Sequence, residues 1–158
     1  MDAIEVQELY KHYGETKAVD GISFNVHQGE VFGLLGPNGA GKTTTVEIIE
    51  GLRAADNGQV TVLGMDVRQH TDKIKARIGV QLQTTALFPL LTVCEVIDLF
   101  RSFYPGGVNE TDYVIDLVNL REKENTRSKD LSGGQQQRLS MALALVNQPD
   151  ITFLDEPT

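Results

Sequence analysis

The sequence predicts an α/β fold built on a parallel sheet. Three observations carry this. Short strand-like segments alternate with segments of helical periodicity. The apolar run Val31-Phe32-Gly33-Leu34-Leu35 leads directly into a glycine-rich loop, as a buried parallel strand does. A second apolar run, Ile151-Thr152-Phe153-Leu154, follows a proline stop at Pro149 and ends at an acidic pair, Asp155-Glu156.

Taken in order, Ile4, Val6 and Leu9 open a loosely alternating segment, and Ile22, Phe24 and Val26 alternate strictly; both read as strands. The turn His27-Gln28-Gly29-Glu30 precedes the run at 31–35. Residues 43–50 read as a helix stopped near Gly51, 59–63 as a short strand, 72–77 as a helix and 78–82 as a strand. Thr92-Val93-Cys94-Glu95 is a capping box, in which a threonine oxygen and a glutamate carboxylate satisfy free backbone donors. It opens a helix expected to reach about residue 103 and to break at Pro105-Gly106-Gly107. A further helix is expected over 110–118. Residues 121–130 are polar and read as a solvated connector. Ser132-Gly133-Gly134-Gln135 is a second capping box, opening a helix to about residue 146 that is apolar on most sides after Leu139. The block 84–146 is therefore helical and lies between the strand patterns on either side.

Length and composition bound the alternatives. The 158 residues are enough for one domain with a sizeable core. The formal net charge of -8 disfavours a nucleic-acid surface. A single cysteine, Cys94, permits no intrachain disulfide, and it sits in an apolar helical pattern as a small core residue. The acidic start Met1-Asp2-Ala3-Ile4-Glu5 is not a signal peptide, and the greasiest stretch, 86–100, is too short and too charged to span a bilayer. Transport across a membrane would need another chain to supply the pore.

The chemistry concentrates in three places. Gly36-Pro37-Asn38-Gly39-Ala40-Gly41-Lys42-Thr43 matches a phosphate-binding loop, between a strand pattern and a helix pattern. Glycines let successive N–H groups turn inward around phosphate oxygens, and the following helix adds its positive end. Lys42 is placed to neutralise β- and γ-phosphates, and the Thr43 hydroxyl to ligate Mg²⁺. Asp155 and Glu156 end a strand on the edge where ligands gather in parallel sheets. One carboxylate can hold the magnesium and the second can polarise an attacking water. The third place is Leu131-Ser132-Gly133-Gly134-Gln135, a helix N-terminus with a serine cap, which suits an anion.

On these motifs the chain resembles the nucleotide-binding domain of an ATP-binding cassette (ABC) transporter, and in particular the ATPase subunits of bacterial ABC-2 type drug and sodium exporters. The resemblance spans the chain: the Gly36 loop, the Leu131 signature, Leu154-Asp155-Glu156-Pro157-Thr158, and Ile78-Gly79-Val80-Gln81-Leu82-Gln83, which is similar to the family's glutamine loop. It implies a P-loop NTPase fold: a RecA-like parallel sheet, an N-terminal antiparallel β-subdomain and an inserted helical subdomain. Residues 1–83 and 147–158 would form the core with its β-subdomain, and 84–146 the helical signature subdomain. Tyr13 would stack on adenine, with Tyr10 a nearby rival. Gly36 and Pro37 would open the loop, and Asn38, Gly39, Ala40, Gly41, Lys42, Thr43 and Thr44 would wrap the phosphates. Thr43, Gln83 and Asp155 would hold Mg²⁺, and Glu156 and Gln83 would act in catalysis. Ser132, Gly134 and Gln135 would close over ATP held by a second cassette, head to tail. His12, His27 and His70 read as solvated.

The resemblance further implies ATP hydrolysis that energises export through a separate membrane-spanning permease, from the cytoplasmic face of the cell membrane. A soluble cassette ATPase not tied to transport, and an ATP-binding fragment without turnover, are the alternatives; the Leu131 signature argues against a P-loop kinase. The family continues past the Walker B strand with a Gly-Leu-Asp loop, another strand and a switch histidine. The C-terminal part is therefore expected to be missing, leaving a gap in the sheet.

Overall fold

A computed structural model describes residues 1–81, 88–104, 106 and 108–154. They divide into two units, Met1–Lys75 and Ala76–Thr158.

In the first unit the N-terminal alternation becomes a long hairpin. Strand β1 (Asp2–Tyr13) pairs antiparallel with β2 (Thr16–His27), with Tyr13 opposite Thr16 at the tip. The loose spacing of Ile4, Val6 and Leu9 has a local cause. The register shifts between Val6 and Leu9, where Glu8 adopts φ 45°, so the bulge returns Leu9 to the buried face that Val6 occupies. Strand β3 (Asn57–Val62) pairs with the other edge of β1, and β4 (Met65–Asp66) with β3, giving the order β2-β1-β3-β4. Helix α1 (Lys42–Ile49) buries Thr45, Ile48 and Ile49. Helix α2 (Val67–Lys75) starts earlier than its apolar pattern predicts, bends at His70 and buries Val67 and Ile74.

The run Val31-Phe32-Gly33-Leu34-Leu35 is not a strand, contrary to the expectation. Val31 and Leu35 are 100% and 93% exposed, and Phe32 stacks on Phe24 with ring centroids 5.2 Å apart. A buried parallel strand needs hydrogen-bonded neighbours, and the sheet of this unit is antiparallel throughout. Among the described residues the parallel pairing is confined to β5 and β6 of the second unit.

In that unit β5 (Ile78–Val80) and β6 (Ile151–Phe153) run parallel in the register Ile78↔Ile151, Gly79↔Thr152, Val80↔Phe153. Gln81 N–H continues the ladder to the Phe153 carbonyl at 2.9 Å. Helices α3 (Val93–Arg101), α4 (Thr111–Leu117) and α5 (Gly133–Leu145) enclose a core that includes Val96, Ile97, Ile115, Leu120, Leu139 and Leu143. Helix α5 lies directly against β5. A Cβ on Gly79 would run into the Ala144 carbonyl, so only glycine permits this approach.

The polar stretch 121–130 is more than a solvated connector. It forms two short 3₁₀ turns, Arg121–Lys123 and Ser128–Asp130. Ser128 is buried and donates from its N–H and its Oγ to the Leu91 carbonyl, at 2.9 and 3.1 Å. The charges stay outside, where Arg121 pairs with Asp112, Asp116 and Glu124.

Candidate functional site

Helix α1 begins without a side-chain cap. Its N-cap is Gly41, at φ 83°. The Gly41 carbonyl is taken by Thr45, through its N–H at 2.8 Å and its Oγ1 at 2.9 Å. The N–H groups of the first turn have no intrahelical acceptor, which leaves a ring of donors at the positive end of the helix. Gly41 also packs tightly against β2: a Cβ there would collide with the Ala18 carbonyl, as well as being strained at that φ.

The loop ahead of the helix is held by its own lysine. Lys42 Nζ donates to the carbonyls of Gly36 at 2.7 Å and Pro37 at 2.9 Å, and Ala40 N–H donates to the Pro37 carbonyl at 3.2 Å. The ammonium therefore sits across the mouth of the loop with the rest of the turn exposed around it. Thr43 is exposed, and its hydroxyl is not engaged by any described residue; two positions on, the hydroxyl of buried Thr45 is spent on the helix itself. The two threonines divide into one free oxygen beside the loop and one structural oxygen. Asn38, Gly39 and Thr44 complete this exposed to half-buried surface.

Of the two tyrosines, Tyr10 is occupied. Its ring packs over Gly21 and its hydroxyl donates to Glu8 Oε2 at 3.3 Å. Tyr13, at the hairpin tip, is 43% exposed. Two cations lie against its ring, Lys11 Nζ at 5.6 Å and the Arg53 guanidinium at 5.4 Å from the centroid.

In the second unit Ser132 caps α5 as the sequence predicts. Ser132 Oγ accepts from Gln135 N–H at 3.3 Å, and Gln135 Oε1 accepts from Ser132 N–H at 2.8 Å. The serine oxygen is thus an acceptor within its own helix, while its hydroxyl hydrogen and the N–H groups of Gly133 and Gly134 remain for a ligand at the helix N-terminus. A Cβ at Gly133 or Gly134 would meet nothing within 4 Å. The fold of this unit does not itself demand glycine there.

Residues 19–158 match the family described as "ABC transporter". The chain belongs to the ABC transporter family. Nod factor export ATP-binding protein I of Paraburkholderia xenovorans (strain LB400) is 41% identical over 160 residues, covering 99% of this chain and 53% of that protein. Linearmycin resistance ATP-binding protein LnrL of Bacillus subtilis (strain 168) is 38% identical over 159 residues, covering 98% of this chain and 51% of that protein. Among solved structures, the dimeric post-hydrolysis state of the ATP-binding cassette MJ0796 bound to ADP and Pi aligns with a TM-score of 0.83 at 30% identity, over 98% of this chain and 74% of that one. The fold is that of the ABC cassette, and the chain spans about half the length of the curated relatives it matches.

For this cassette chain the sequence-predicted residues fall into three groups. The phosphate loop with Tyr13 belongs to the first unit, and the signature to the second. Gln83, Asp155 and Glu156 lie outside the described residues. His12 and His27 are exposed and His70 is half-buried, and no group of three or more His, Cys, Asp or Glu side chains suited to a metal occurs among the described residues. Nor is any described helix long and apolar enough to cross a membrane.

Two residues escaped the sequence reading. Arg53, just after α1, reaches the Tyr13 ring; its only sequence signal was a cation following the Gly51 stop. Glu50, the C-cap of α1, is buried, and burial beside the Glu47 carboxylate pushes its carboxyl up to about 7. A glutamate directly after Ile48-Ile49 was the available signal.

Proposed function

We propose that this chain belongs to the ATP-binding and ATP-hydrolysing subunit of an exporter. The subunit works as a head-to-tail pair of cassettes on the cytoplasmic face of the cell membrane and drives a separate membrane-spanning permease. The observation that carries the reading is the start of α1: an uncapped helix N-terminus at Gly41, a lysine ammonium across the loop mouth, and the free Thr43 hydroxyl. This is a polyphosphate site in its donor count and charge. The names of the relatives, an export protein and a resistance protein, support export.

In this reading Tyr13 stacks on adenine, and Gly36, Pro37, Asn38, Gly39, Ala40, Gly41, Lys42, Thr43 and Thr44 wrap the phosphates. To reach a phosphate, Lys42 exchanges its carbonyl partners at Gly36 and Pro37 for β- and γ-oxygens, a stronger charge-assisted pairing. Thr43 offers a hard hydroxyl oxygen, the donor type Mg²⁺ prefers, and Asp155 and Gln83 complete that set. Bound Mg²⁺ neutralises charge on the phosphates. Glu156 polarises the attacking water. The core is residues 1–83 with 147–158, and 84–146 is the signature subdomain.

Ser132, Gly134 and Gln135 act on the nucleotide of the opposite cassette. The open surroundings of Gly133 and Gly134 support this, because a close-approaching ligand gives those glycines a purpose that their own unit does not. The net charge of -8 supports a partner other than nucleic acid.

The test is Glu156→Gln in the full protein. Turnover is expected to fall to background while ATP binding and ATP-dependent pairing persist. Normal hydrolysis by that variant removes Glu156 from the mechanism, and turnover unaffected by the permease favours a soluble cassette ATPase.

A further inference from the structure

Arg53 is fixed by α1 and aimed at the tyrosine. Its Nε donates to Glu47 Oε2 at 2.6 Å, and the backbone N–H groups of Leu52 and Arg53 both donate to the Glu47 carbonyl, at 2.8 and 3.2 Å. One residue of the helix thereby holds both the turn and the guanidinium. The Arg53 guanidinium carbon lies 5.4 Å from the centre of the Tyr13 ring, within cation–π range. Arginine suits this position because its planar guanidinium stacks on a ring while its N–H groups stay available for a carboxylate.

A second cation completes the arrangement. Lys11 Nζ is held by Asp56 Oδ1 at 2.7 Å, and the other oxygen of that carboxylate takes His12 N–H at 2.7 Å. Each cation near the ring is thus anchored by its own carboxylate. A tyrosine at a hairpin tip would otherwise sample several rotamers, and ordering it on ligand binding costs side-chain entropy.

We propose that Arg53 is a positioning residue for nucleotide: anchored by Glu47 on the phosphate-loop helix, it presets the Tyr13 ring for the base. The proposal rests on the reading of Tyr13 as the adenine-stacking residue. Its consequence is a division of labour within one helix. The start of α1 holds phosphate, and its last turn, through Glu47 and Arg53, holds the residue that holds the base.

The experiment compares Mg·ATP with Mg·tripolyphosphate, which has the phosphates without the base, by calorimetric titration of the full protein. Arg53→Met keeps the apolar stem and removes the guanidinium. It is expected to weaken ATP about three- to tenfold, the range of a partly exposed cation–π contact, with tripolyphosphate unchanged. Arg53→Lys should recover part of the loss. In a Tyr13→Ala background Arg53→Met should add nothing, because the two residues act as one unit. If Arg53→Met weakens both ligands alike, or adds its full effect without Tyr13, the arginine acts on the fold and the proposal is overturned. If Tyr13→Ala itself binds ATP normally, the adenine reading fails and takes this proposal with it.

Discussion

Asn147 Nδ2 donates to the Ile78 carbonyl at 2.9 Å and lies 3.3 Å from the Ala76 carbonyl, across a separation of 69 residues to Ile78. Asn147 is buried, just past the end of α5, and these bonds tie that helix end to the start of β5. Asp150 N–H donates to the Arg77 carbonyl at 2.8 Å, and the Arg77–Asp150 ion pair closes the same corner from outside. The side-chain amide of Asn147, four residues before Ile151, thus helps set where β6, the strand that leads to the acidic pair, begins.

Asn147→Leu is expected to destabilise the second unit by about 1–3 kcal/mol, the cost of losing a buried hydrogen-bonding group. Arg77→Ala, at an exposed pair, should cost under about 1 kcal/mol. Urea unfolding of the two variants separates them by their midpoints.

Gly41→Ala should remove nucleotide binding and lower stability together. The left-handed backbone costs an alanine about 1–2 kcal/mol, and the Ala18 carbonyl leaves no space for the added methyl group. Gly39→Ala has the same backbone strain but open surroundings, so it should fold better than Gly41→Ala. Thermal melts with and without Mg·ATP check both.

Glu50→Gln should change how stability depends on pH. Burial raises the carboxyl from 4.5 to about 7 in the folded chain, so the unfolded chain loses this proton first as pH rises. Stability present below about pH 4.5 is therefore lost progressively up to about pH 7. The variant should melt higher than the parent at pH 8 and no higher at pH 4. Equal shifts at both values would remove Glu50 ionisation as the cause.

Ser132→Ala and Gly134→Ala should act oppositely. Ser132→Ala loses the α5 cap and should cost about 1 kcal/mol of stability. Gly134→Ala meets nothing in its own unit and favours the helix, so the melting temperature should hold or rise. In the proposed head-to-tail pair, turnover by Gly134→Ala should nevertheless fall, because the added methyl group would take space that the proposal gives to the nucleotide of the opposite cassette. ATPase assays beside melting curves show whether the two effects separate.

Much of this was legible locally. Both capping boxes formed as written, because a capping box needs only residues three apart. The phosphate loop and α1 were legible for the same reason. The run 31–35 was misread because apolar character predicts burial but cannot supply a neighbouring strand, and these residues are largely exposed. The connector 121–130 is solvated over most of its length, as its polar composition predicts, but composition gave no sign that Ser128 is buried and pinned by a carbonyl 37 residues away.

The sequence by itself determined the family and the two capped helix starts, since motif spacing and a cap need only residues a few positions apart. Only the tertiary structure engaged Tyr10 while leaving Tyr13 exposed, put Arg53 on the Tyr13 ring, and buried Glu50. Each depends on side chains from segments distant in the chain meeting at one place: Tyr10 over Gly21, Arg53 against Tyr13. A pattern read along the chain contains no such distances, and they are set when the hairpin and α1 pack in three dimensions.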